Sequence, residues 1–122
     1  GKFCYLDSYQ DAPQFQPEAS GGYLPLANVY SYDPVSPAFT EEEAKLIYGV
    51  QGNLWAEYIT TFSHAQYMLL LRMAALAEVA WTPQEAREYS NFLNRAKLLT
   101  QRYEALGYNF AKHILQESKS NE

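Results

Sequence analysis

Cysteine is nearly absent from this sequence. Cys4 stands alone among 122 residues, so no internal disulfide can staple the chain, and cysteine usage says nothing of the redox compartment. Positive charge is also scarce. Nine Lys and Arg face fourteen Asp and Glu, for a formal net charge of −5 and a pI near 5.0. A phosphate backbone repels such a surface, and no basic run relieves the repulsion, which argues against nucleic acid as a partner. Long apolar runs are missing too: the longest, Met68–Trp81, contains Arg72 and Glu78 and is too short to span a bilayer, so no membrane partner is expected. Histidine is limited to His64 and His113, with no ligand spacing between them. A structural zinc site needs about four convergent ligands, so neither metal nor cofactor is expected. The opening, Gly1–Asp7, lacks the basic-then-apolar layout of a signal peptide and reads as starting abruptly inside a strand.

What is present is apolar and aromatic. Hydrophobic residues make up 48% of the chain, enough for one small domain with a single core and too many for a disordered segment. Aromatics reach 16%, and eleven of them are tyrosine. A tyrosine ring stacks through its apolar face and hydrogen-bonds through its hydroxyl, which suits sugar recognition and a packed interface alike.

Periodicity predicts a strand over residues 1–7, a long irregular loop over 8–39 that holds all but one of the prolines and Gly21-Gly22, a helix over 40–48, a second strand over 50–56, helices over 63–81 and 83–106, and a polar tail over 116–122. Loops of that length inside a compact domain are often binding loops. Three helix starts share one chemistry. Thr40-Glu41-Glu42-Glu43 and Ser63-His64-Ala65-Gln66 read as capping boxes, and Thr82-Pro83-Gln84-Glu85 adds proline at the first helical position. Gly49 and Gly107 are the expected helix stops. The helix after residue 83 carries Tyr89, Phe92, Leu93, Ala96, Leu99, Tyr103 and Leu106 on one stripe, whereas the helix before it is apolar nearly all round and must be covered on several sides. Two strands separated by a helix fit a parallel βαβ unit, yet two strands cannot bury this much apolar surface. The pattern is that of a piece of a larger α/β fold.

Two short motifs carry chemistry. In an extended strand Tyr5 and Asp7 of Tyr5-Leu6-Asp7 point to one side, as do Trp55 and Glu57 of Trp55-Ala56-Glu57. At the C-terminal ends of barrel strands each pair would face a pocket. From spacing alone a plainer alternative stands beside this: two core aromatics and two exposed acids. Arg72 and Glu78 are expected to form buried or rim ion pairs, and Cys4 to be a small core residue.

Five blocks in order, Cys4–Gln10, Gly22–Leu26, Val29–Pro34, Gly49–Tyr58 and Arg72–Trp81, resemble consecutive blocks of family 20 glycoside hydrolases, the β-N-acetylhexosaminidases, over roughly Phe3 to Ala111. The resemblance implies that residues 1–115 are the C-terminal quarter of a (β/α)8 barrel, comprising its seventh and eighth strand–helix units and a terminal helix. It implies removal of terminal β-linked N-acetylglucosamine or N-acetylgalactosamine by a retaining route in which the substrate's own acetamido oxygen attacks the anomeric carbon. Tyr5 would then donate to that acetamido oxygen, Asp7 and Glu57 would accept from sugar hydroxyls, and Trp55 would form an apolar wall. The family's general acid is the Glu of an Asp-Glu pair, and this chain holds no Asp-Glu dipeptide; Glu41-Glu42-Glu43 is explained by its capping box. The segment alone is therefore expected to be inactive. Its expected partners are N-acetylhexosamine-terminated glycans, the remainder of the barrel, and further copies of itself through exposed barrel faces, in an extracytoplasmic setting. The competing expectation is a non-catalytic carbohydrate-binding or self-associating module.

Overall fold

Helices dominate the fold, and the two expected strands are reduced to turns and a single bridge. The structure, a computed structural model, describes residues 3–117. The element order is a 3-10 turn at Pro13–Phe15, α1 (Leu26–Tyr30), α2 (Glu41–Ala44), α3 (Phe62–Leu69), α4 (Arg72–Trp81), a 3-10 turn at Gln84–Ala86, α5 (Tyr89–Ala105) and α6 (Ile114–Glu117). Strand pairing among the described residues is limited to two isolated parallel bridges, Tyr5–Asn53 and Tyr9–Tyr23. The first is closed by Leu6 N–H to the Asn53 carbonyl at 2.8 Å and Asn53 N–H to the Cys4 carbonyl at 2.7 Å. The strands expected over 1–7 and 50–56 thus shrink to this contact, with residues 1 and 2 outside the described range. A lone parallel pair has too few ladder bonds to hold long strands extended without further neighbours.

The expected helix over 63–81 is broken. Leu70 is extended and Leu71 takes φ 73° and ψ −51°, a region unfavourable for a side chain, before α4 begins. Leu71 is fully buried there. Burying a leucine is worth about 1.5–3 kcal/mol, enough to offset local strain of about 1–3 kcal/mol. No glycine or proline announced the break. The cap of α3 is Thr61, whose Oγ1 accepts from His64 N–H at 3.1 Å, rather than Ser63. The capping box at Thr40 is present in both directions, but α2 spans only Glu41–Ala44 instead of 40–48. At Thr82 no cap forms: the 3-10 turn follows Pro83, and α5 starts at Tyr89. Gly107 does end the α5 region, with φ 70°, whereas Gly49 is not left-handed. The polar tail expected over 116–122 lies outside the described residues beyond Glu117, and α6 occupies its start.

The core gathers Leu6, Leu24, Leu26, Val29, Tyr30, Leu71, Ala75, Leu76, Phe92, Ala96, Phe110, Ala111 and Ile114. Cys4 packs against it only partly buried. α1, inside what read as irregular loop, packs on α4. Its Tyr30 ring lies 5.0 Å from Phe92 and 5.3 Å from Tyr89, which brings α5 onto the same pair. The Tyr30 hydroxyl donates to Glu78 Oε1 at 2.8 Å, and Arg95 Nη2 donates to both Glu78 oxygens at 2.7 and 2.6 Å. Burial, reinforced by Glu78, holds the Tyr30 hydroxyl above the usual phenol range. Glu78 is thus the rim ion pair expected of it. The α5 stripe is narrower than its pattern: Phe92, Ala96 and Thr100 are buried, while Leu106 is exposed.

α4 is covered on fewer sides than its composition called for. Ala75, Leu76 and Val79 are buried, but Met73 and Trp81 are exposed. Leu6, Val50, Gly52, Leu69, Met73 and Leu76 line an open groove of about 280 Å³ along it. At Gly52 the second bridged segment crosses so close that a Cβ would meet Leu76 Cδ2 at 3.0 Å and Leu6 Cδ1 at 3.3 Å.

Candidate functional site

The Tyr5–Asn53 bridge aligns the two motif-bearing segments in parallel, so that Tyr5-Leu6-Asp7 leaves the contact beside Asn53-Leu54-Trp55-Ala56-Glu57. Beyond the bridge the first segment turns at once, with Ser8 N–H donating to the Tyr5 carbonyl at 3.2 Å. The strand alternation expected to aim Tyr5 and Asp7 together therefore ends at Tyr5. The two side chains meet different surroundings: Tyr5 is 40% exposed and Asp7 only 5%. Trp55 is 61% exposed and Glu57 is exposed beside a turn closed by Ile59 N–H to the Ala56 carbonyl. Neither aromatic is in the core, so the plainer alternative of two core aromatics with two exposed acids does not describe these positions.

Asp7 has one oxygen engaged and one without a hydrogen-bond partner among the described residues. Ser20 Oγ donates to Asp7 Oδ2 at 2.6 Å and Ser20 N–H to the Asp7 carbonyl at 3.1 Å. Oδ1 is buried with no hydrogen-bond partner among the described residues. A buried carboxylate oxygen without a donor is costly, by about 1–3 kcal/mol or more for a charged group. Ser20 reaches Asp7 because Gly21 and Gly22, with φ 83° and 69°, reverse the loop so that Gly22 and Leu24 pair with Tyr9.

Beneath this segment lies Arg72, fully buried and, among the described residues, without an ion-pair partner. Its guanidinium donates to carbonyls instead: Nε and Nη2 to Met68, Nη1 to Ser8 and Leu24, and Nη2 to Leu6. The expected ion pair is thus replaced by a ring of peptide dipoles. Burial lowers its pKa to about 10, while Tyr67 and Asp7 favour the charged form, so it remains a cation at neutral pH. The wider loop is anchored by Gln10, whose Nε2 donates to the Tyr67 carbonyl at 2.8 Å and whose carbonyl meets His113 Nε2 at 3.2 Å. His113 Nδ1 also lies 3.5 Å from Asp11 Oδ2. Sequence reasoning missed Ser20, which lies in no motif, and gave no role to Gln10, the last residue of the first block. An arginine inside an apolar helix was the available signal for Arg72.

Among the described residues no group of three or more His, Cys, Asp or Glu is arranged to hold a metal ion, and no helix is long and apolar enough to cross a membrane.

The arrangement sets acids and aromatics on two parallel-bridged segments backed by helices. The chain belongs to glycosyl hydrolase family 20, whose catalytic-domain model matches residues 1–84. A β-hexosaminidase of Porphyromonas gingivalis is 37% identical over 106 residues, covering 87% of this chain and 14% of that protein. A β-hexosaminidase of Akkermansia muciniphila is 34% identical over 103 residues, covering 83% and 20%. Among solved structures, the family 20 exo-β-N-acetylglucosaminidase of Vibrio harveyi, in complex with N-acetylglucosamine, superposes with a TM-score of 0.77 at 31% identity, covering 91% of this chain and 18% of the other. The chain therefore spans about a fifth or less of the length of these relatives.

Proposed function

We propose that this chain is the C-terminal quarter of a β-N-acetylhexosaminidase barrel, contributing its seventh and eighth strand–helix units, a terminal helix and one side of the sugar pocket. The observation that carries the reading is the parallel Tyr5–Asn53 bridge, which sets the two family motifs side by side with Tyr5 and Trp55 uncovered. The buried, unpartnered Oδ1 of Asp7 supports it further, since a sugar hydroxyl is a donor of the kind that oxygen lacks.

In this reading the Tyr5 hydroxyl donates to the acetamido oxygen of a terminal N-acetylhexosamine and orients it toward the anomeric carbon. Orientation of an internal nucleophile is worth about 7 kcal/mol or more in favourable cases. Asp7 and Glu57 accept from sugar hydroxyls, and Trp55 supplies an apolar wall. The acetamido oxygen forms the bond to the anomeric carbon as the aglycone leaves. Protonation of that leaving oxygen needs an acid outside this chain, which contains no Asp-Glu pair. The segment alone is accordingly inactive, and its natural partners are the rest of the barrel and N-acetylhexosamine-terminated glycans outside the cytoplasm.

The test uses an aryl β-N-acetylglucosaminide. The 122-residue chain should give no turnover. In the longer protein that carries it, Tyr5→Phe should lower kcat by about 10²-fold, by analogy with loss of one preorganised donor. Asp7→Asn should lower kcat/KM by about ten-fold or more, the worth of a charged hydrogen bond. A Tyr5→Phe enzyme with undiminished kcat would sink the assignment. So would activity of the isolated chain that survives purification.

A further inference from the structure

Three consecutive carbonyls around Asp7 are each held by a side chain or amide from elsewhere in the chain. Leu6 O accepts from Arg72 Nη2, Asp7 O from Ser20 N–H at 3.1 Å, and Ser8 O from Arg72 Nη1 at 3.1 Å. The same guanidinium reaches Leu24 O at 3.1 Å, where the loop returns, and Met68 O in the last turn of α3. Its planar fork joins three segments that are otherwise separate in sequence, and a lysine ammonium cannot reproduce that geometry. On the side-chain end, Ser20 Oγ ties Asp7 Oδ2 at 2.6 Å and leaves Oδ1 without a partner.

We propose that Arg72 and Ser20 are positioning residues for the sugar subsite: Arg72 fixes the main chain on both sides of Asp7, and Ser20 holds Oδ2 so that the carboxylate keeps the one orientation in which it meets a sugar hydroxyl. The inference rests on the reading of Asp7 as a sugar acceptor. Neither residue touches the substrate; both act through Asp7. A purely structural role would instead lower stability and leave affinity alone, because Arg72 also satisfies carbonyls remote from Asp7.

A double-mutant cycle separates the two in the longer protein that carries this segment. The dissociation constant for N-acetylglucosamine and the kcat and KM for an aryl β-N-acetylglucosaminide are measured for wild type, Arg72→Lys, Ser20→Ala, Asp7→Asn and the two doubles with Asp7→Asn, all well below their melting transitions. Each positioning variant alone should weaken N-acetylglucosamine by about ten-fold, the loss of roughly one good hydrogen bond. In the Asp7→Asn background the same changes should matter by less than about two-fold, because the group they position is already gone. Ser20→Thr, which keeps the hydroxyl, should restore most of the affinity. Additive losses in the cycle, or a lowered Tm with unaltered affinity, overturn the proposal. If Arg72→Lys does not fold, the Ser20 arm decides it, because Ser20 is exposed and its truncation is mild. Asp7→Asn without effect on affinity overturns the reading of Asp7 itself. Asp7→Asn weakening affinity while Ser20→Ala does not overturns the positioning alone.

Discussion

At His64 the burial of a single ring carries a pH consequence. The side chain is buried in α3, its Nε2 has no hydrogen-bond partner among the described residues, and desolvation holds its pKa below the ordinary 6.5. The folded chain therefore binds this proton less readily than the unfolded one. The contribution to stability is present above the unfolded value and is lost as pH falls through the folded one. The urea midpoint of the chain should thus drop between about pH 7 and about pH 5, and His64→Gln should flatten that drop; an equal drop in both would refute the linkage. At the same scale, Tyr5, Asp7, Trp55 and Glu57 were legible as two aromatic–acid pairs. The unpartnered oxygen of Asp7 was not, since it depends on Ser20 thirteen residues away and on a turn that ends the strand alternation.

Local chemistry explains where several elements begin and fails where packing takes over. The capping box at Thr40 formed as its residue types require, because both of its hydrogen bonds lie within four residues. The break at Leu70-Leu71 was invisible, since nothing in Leu69-Leu70-Leu71 disfavours a helix. It exists because it buries Leu71 and turns Arg72 under the Leu6–Ser8 segment. Its backbone yields an inverted expectation. In a helix interior glycine is worse than alanine by about 0.5–1 kcal/mol. At Leu71, both Leu71→Ala and Leu71→Gly lose the buried side chain, at about 2–5 kcal/mol, but only glycine relieves the strain of φ 73°. Leu71→Gly should therefore be the more stable of the two by about 1 kcal/mol or more in denaturant titration. The ordinary order, alanine above glycine, would show that the position is not strained.

For the whole molecule, the apolar surface left outside is as telling as the core. Tyr48, Trp81 and Phe62 are 94, 88 and 79% exposed, and the groove along α4 is open to solvent. Such patches invite association. The isolated chain should self-associate as its concentration rises, and a monomer by native mass measurement across the micromolar range would count against uncovered barrel faces. The sequence by itself determined the family, the parallel pairing of its two motif segments within a larger fold, and the absence of the Asp-Glu acid, because those rest on residue order and short-range patterns. Only the tertiary structure decided how little strand survives among the described residues, where the long apolar helix breaks, and which oxygen of Asp7 lacks a hydrogen-bond partner. Those outcomes depend on contacts between residues tens of positions apart, such as Arg72 with Leu6 and Leu24, whose energies no local pattern encodes.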